Sequence, residues 1–129
     1  MAKIITLTGQ MEVRPEKEKE FTIIMQEAIA SIHRQKGCLS YRFYQHVGQH
    51  HTYCFIGMWK TPMDAKASFQ TDEFAILLKA FDLLRQPPEI RYHRVLYPDG
   101  LKVIRLLRNH SGKDWEEREA DQPGSREGS

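Results

Sequence analysis

Between Pro15 and Gly37 the apolar residues Phe21, Ile24, Met25, Ala28, Ile29 and Ile32 recur at spacings of three and four. That is the period of an α-helix, and it lays one continuous apolar stripe along about three turns. Such a stripe does not stay in water, so the chain must cover it with a second apolar surface. The helix ends are marked as well. Pro15 suits a first turn because its missing N–H would have lacked a partner there. Glu16, Glu18 and Glu20 set negative charge at the positive end of the helix dipole, and Arg34 and Lys36 sit at the other end. Gly37 can take the left-handed conformation that stops a helix.

The covering surface is legible on either side of this helix. Residues 3–13 alternate with period two, Ile5, Leu7, Met11 and Val13 on one face and Thr6, Thr8, Gln10 and Glu12 on the other. Residues 38–47 and 50–60 read as two strands around Gly48-Gln49, a two-residue turn with glycine first. That turn pairs Phe43 with Cys54, Tyr41 with Ile56 and Leu39 with Met58, and this apolar set should face the helices. Thr61-Pro62 and Thr71-Asp72-Glu73 are helix starts. Phe74, Leu77, Leu78, Phe81 and Leu84 form a second stripe, which Pro87-Pro88 ends. Residues 89–97 read as a strand, Pro98-Asp99-Gly100 as a turn and 101–107 as a short fifth strand. The order β-α-β-β-α-β implies an α+β fold of the ferredoxin-like type, an antiparallel sheet with both helices on one face, over a domain of residues 1–108. Residues 109–129 are polar and almost free of aliphatic side chains. They read as a disordered tail in which Trp115 is the one anomaly.

A chain of 129 residues suffices for one such domain without staples. With a net charge of +2, no nucleic-acid or membrane partner is expected. Arg91, His93, Arg94, Lys102, Arg105 and Arg108 do cluster late, as a solvated strand face or, less often, a polyanion site would. No stretch reaches the roughly 18 apolar residues of a membrane span, and no signal peptide is visible, so a cytoplasmic location is expected. Cys38 and Cys54 have no metal-ligand spacing. His46, His50 and His51 cluster without carboxylate or thiolate partners, so no metal is expected.

With the hairpin register above, the second sheet face carries Cys38, Ser40, Arg42, Tyr44 and His46 opposite Trp59, Gly57, Phe55, Tyr53 and His51. Four large aromatic rings, each able to bury on the order of 150–250 Å², mark an interface or a cavity. Two such sheets from two copies of the chain, packed face to face around a pocket, would hide them. A homodimer, a dimeric α/β barrel, is therefore expected.

At this point the residues resemble the antibiotic biosynthesis monooxygenase family. Gly37-Cys38-Leu39-Ser40-Tyr41 is similar to its GC-x-x-Y signature, and the strand ending in Trp59, followed by Thr71-Asp72-Glu73-Phe74, is similar to its later stretch. The resemblance covers roughly residues 3–97. It implies a dimeric α+β barrel and, in studied branches, cofactor-independent oxygenation of polyphenols, quinol oxidation or haem degradation. Trp59 matches the family's pocket tryptophan. Ser68 and Phe69 stand where many members carry a histidine, and Thr8 where haem-degrading members carry an asparagine, which counts against haem degradation. The resulting expectation is a cofactor-independent, quinol-monooxygenase-like enzyme binding a small aromatic substrate against Phe55, Tyr44, Tyr53 and Thr8. Trp59 and Arg42 would be catalytic, Arg42 holding a phenolate, with His93, His46 or His51 as base. Interface packing for Trp59 and a salt bridge for Arg42 are the plainer readings. A non-catalytic dimeric ligand-binding module is the alternative function.

Overall fold

β1 (Ile5–Glu12) follows its alternation: Ile5, Leu7, Gly9 and Met11 are buried, while the intervening side chains are half-buried or exposed. The computed structural model describes residues 3–109. A 3-10 turn, Pro15–Lys17, leads into α1 (Glu18–His33), whose stripe Phe21, Met25, Ala28, Ile29 and Ile32 is buried. Gly37 has φ +82°, and a Cβ there would stand 2.2 Å from the Asp64 carboxyl carbon, so both backbone and space require glycine. β2 (Cys38–Gln45) and β3 (Thr52–Trp59) complete the hairpin. α2 (Pro62–Phe69) and α3 (Asp72–Ala80) begin where expected, Thr61 accepting from the Asp64 N–H at 3.1 Å and Thr71 from the Phe74 N–H at 3.3 Å. Along α3 the buried line is Phe74, Leu77 and Ala80, and Leu78, expected in the stripe, is 50% exposed. β4 (Glu89–Arg94) completes the sheet.

The strand order β2-β3-β1-β4, with β3 antiparallel to both neighbours, is the α+β ferredoxin-like arrangement. Lys3–His93 forms one compact unit, and of the described residues Arg94–Asn109 belong to a second. In the first, the core lies between one sheet face and α1–α3.

The hairpin register differs from the expected one by a single residue. Phe43 pairs with Phe55, Tyr41 with Gly57 and Arg42 with Ile56. The connection is not a two-residue turn. His46 N–H donates to Thr52 C=O at 2.8 Å, which closes a five-residue loop, Val47–His51, with left-handed residues at Gly48 (φ +88°) and His51 (φ +63°). A slip of one exchanges the two faces of a strand. Tyr53, Phe55 and Trp59 therefore lie in the core at 6%, 1% and 0% exposure, and Cys54, Ile56 and Met58 face the other way. A bulge between Cys38 and Ser40 leaves Leu39 exposed, where an inward position was expected.

Residues 101–107, expected as a strand, form part of α4 (Gly100–Asn109). Asp99 accepts from the Lys102 N–H at 3.1 Å, a helix-start contact that a period-two reading overlooks. Among the described residues no helix is long and apolar enough to cross a membrane. Asn109, expected to open the tail, ends α4, and the rest of the expected tail, with Trp115, lies outside the described residues.

Candidate functional site

Two glycines make room for rings directly on the sheet. A Cβ at Gly57 would stand 2.8 Å from both the Trp59 indole and the Tyr41 ring, and one at Gly9 would stand 2.1 Å from the Phe55 ring. With both positions bare, the aromatic side chains lie against the backbone on the helix-facing side. Tyr41 stacks on Phe55 at 5.5 Å between centroids and meets Trp59 edge-on at 5.6 Å. Phe69, from the end of α2, meets Trp59 at 5.3 Å and Phe74 at 4.9 Å.

This layer is apolar except at two atoms. The Tyr41 hydroxyl and the Trp59 Nε1–H are buried with no hydrogen-bond partner among the described residues. A buried donor left unpaired costs about 1–3 kcal/mol, and native folds keep few of them. Here two are carried by rings in contact. Burial, and next the nearby Cys38 thiol, push the Tyr41 phenol far above its ordinary range, so it stays protonated and remains a donor. Burial also raises the Cys38 thiol, which donates to Ser40 C=O at 3.5 Å. A cleft of about 410 Å³ between α1 and β2, lined by Ile29, Ala30, His33, Arg34, Tyr41 and Phe43, leads to Tyr41 from outside.

Ser68 is buried beside this layer, in sequence next to Phe69, and donates to Gln35 Oε1 at 2.5 Å. Gln35 Nε2 donates to Thr71 Oγ1 at 3.1 Å, and Thr71 donates to Ser68 C=O at 2.7 Å. These bonds join the end of α1 to the α2–α3 junction. They commit the Ser68 hydroxyl to structure.

The seven expected site residues do not meet in one pocket of the chain. Trp59, Phe55 and Tyr53 are on the helix-facing side. Arg42, Tyr44, Thr8 and His93 are on the other surface, where Thr8 Oγ1 lies 3.4 Å from His93 Nε2 and Arg42 is exposed. The face expected to unite them depended on the two-residue turn, and the five-residue loop divides them. Tyr53 has a different partner: its hydroxyl donates to Glu18 Oε2 at 2.5 Å, and His51 Nδ1 lies 2.9 Å from Glu18 Oε1. The Tyr53 hydrogen bond and then His51 hold the Glu18 carboxyl below its ordinary value. Burial and that same bond push Tyr53 up to about 12. Among the described residues no group of three His, Cys, Asp or Glu side chains is placed to hold a metal. Sequence reasoning set Tyr41 among core residues and did not single out its buried hydroxyl as a candidate donor. The signal available was its place in the GC-x-x-Y stretch.

The sequence profile of the antibiotic biosynthesis monooxygenase family matches residues 4–78. The Synechocystis protein sll1783 is 30% identical over 92 residues, 70% of this chain, and the matched stretch spans 63% of that relative's length. YcnE of Bacillus subtilis is 26% identical over 88 residues, covering 67% of this chain and 93% of YcnE. In structure the chain is similar to SnoaB, a cofactor-independent oxygenase from Streptomyces nogalater. The TM-score is 0.66 at 16% identity, over 76% of this chain and 98% of SnoaB. It is also similar to a conserved protein of Methanosarcina mazei, with a TM-score of 0.67 at 22% identity over 72% and 93% of the two chains.

Proposed function

Because the chain belongs to the antibiotic biosynthesis monooxygenase family, we propose that it is a monooxygenase needing no metal or organic cofactor, acting on a quinol or polyphenol-type ring held beside Tyr41 and Trp59. The observation that carries this reading is the pair of unpaired buried donors on touching rings. A phenolate or quinol oxygen would accept from both. Two donors on one oxygen favour its ionised form, and only the electron-rich anion passes an electron readily to O₂. Phe55, Phe69 and Phe74 supply flat apolar walls and keep water out. The cleft beside α1 is the entrance, with Arg34 at its rim attracting an anionic ring. Ser68 is bonded to Gln35 and Phe69 has no titratable group, so neither supplies a base. The substrate's own ionisation then sets the rate.

Arg42, His93, Thr8 and Tyr44 belong in this reading to a homodimer interface rather than to the ring site. Tyr44 and Ile56 are 43% and 36% exposed on that sheet surface beside half-buried Cys54 and Met58, which supports a second copy docking there.

The test is oxygen uptake on adding an anaerobically prepared hydroquinone. Trp59→Phe, which keeps a ring and loses the donor, should lower turnover at least tenfold. Unchanged turnover in that variant would remove the proposed site. A second reading, a dimeric binding module without chemistry, is favoured by Ser68 and Phe69, which stand where the family resemblance leads one to expect a histidine. Thermal stabilisation by a quinol without oxygen uptake would select it.

A further inference from the structure

α4 separates its side chains by kind. On a helix turning about 100° per residue, Val103, Ile104, Leu106 and Leu107 fall within an arc of about 160°, and Lys102, Arg105 and Arg108 fall on the opposite side. Gly100–Asn109 contains no acidic residue, so nothing within the helix balances its three cations. Ile104 is 56% exposed and Leu106 36%, Val103 and Leu107 on the same face are half-buried, and Leu101, set among the cations, is 57% exposed. A partly exposed aliphatic face backed by unbalanced positive charge is the pattern of a helix that lies in a membrane interface, with long cationic side chains reaching the headgroups. Ten residues make a helix about 15 Å long, which can rest on a bilayer and cannot span it.

We propose that α4 binds the surface of an anionic phospholipid bilayer, its Val103–Ile104–Leu106–Leu107 face entering the headgroup boundary and Lys102, Arg105 and Arg108 pairing with lipid phosphates. The near-neutral total charge of the chain, from which no membrane partner was expected, averages away this local segregation. The site is independent of the aromatic layer and of any oxygenase activity.

The experiment is co-sedimentation of the full chain with phosphatidylcholine vesicles, with and without phosphatidylglycerol. Binding is expected only with the anionic lipid and should weaken as salt rises. Each cation near such a surface is worth roughly a fivefold change in partitioning, so K102E/R105E should lower binding by well over tenfold. Ile104→Asp should also release the protein while its thermal midpoint stays unchanged. Equal binding to neutral vesicles, or none to anionic ones, overturns the proposal. So does unchanged binding by Ile104→Asp, which would leave a polyanion contact without insertion. A loss of self-association in Ile104→Asp without vesicle binding by the parent protein would assign the face to a second copy and overturn it too.

Discussion

Replacing Tyr41 by phenylalanine should make this protein more stable and less able to bind its ligand. The hydroxyl is buried and unpaired among the described residues, and leaving such a group unmatched costs about 1–3 kcal/mol. Phenylalanine keeps the stacking on Phe55 and the edge contact with Trp59, so the loss is confined to one oxygen. Part of the gain is offset by the small gap left behind, so the net stabilisation should be about 1–2 kcal/mol. In a domain of this size each kcal/mol moves the thermal midpoint by about 4–8 °C. Urea unfolding at neutral pH should show a higher midpoint with the slope unchanged, since the surface exposed on unfolding is the same. A hydrogen bond from this hydroxyl to a phenolate is worth about 1.5–3 kcal/mol, so affinity for an ionised quinol should fall roughly tenfold to a hundredfold. If the variant is instead destabilised by more than about 1 kcal/mol, the hydroxyl has a partner in the folded chain, and the two-donor site is refuted.

Gly57→Ala should cost about 1–3 kcal/mol, because the new Cβ would stand 2.8 Å from the rings of both Trp59 and Tyr41. Chemical denaturation measures it, and a neutral result would mean that the two rings do not lie on the sheet at that position. Glu18 has a folded pKa below its ordinary 4.5, so its bonds to Tyr53 and His51 stabilise the fold fully above that value and are lost as pH falls through the folded one. Glu18→Gln should therefore flatten the acid limb of a plot of stability against pH, and an identical limb in both proteins would contradict it. With a non-ionising substrate analogue bound, oxygen uptake should vanish, and with true substrates the rate should rise with pH through each substrate's own phenol pKa. A single rise at one pH for all substrates would point to a protein base.

The parts of the fold legible in the sequence are those set by local chemistry. The stripe from Phe21 to Ile32, the caps at Thr61 and Thr71 and the left-handed Gly37 each depend on a few neighbouring residues, and the structure has them where expected. The hairpin register was not legible. Both faces of β3 are apolar enough to be buried, Tyr53, Phe55 and Trp59 on one and Cys54, Ile56 and Met58 on the other, so the alternation could not choose between them. The choice falls to the loop, where His51 takes a left-handed conformation uncommon for a residue with a side chain. For the same reason Trp59 and Phe55 could be named as candidates while the alternation set Tyr41, which touches both rings, on the opposite face. Residues 101–107 carry aliphatic side chains that satisfy a period of two or of 3.6 over so short a window. There the cap at Asp99 decides for the helix.

The five-residue connection between β2 and β3 has a consequence for how such chains can vary. Residues 47–50 are exposed, and the pairing of β2 with β3 is closed below them by the bond from His46 N–H to Thr52 C=O. A residue inserted at the tip would therefore lengthen the loop and leave Tyr53, Phe55 and Trp59 under the helices. What the connection fixes is which residues of β3 meet β2, so its tip is free in composition and free to grow.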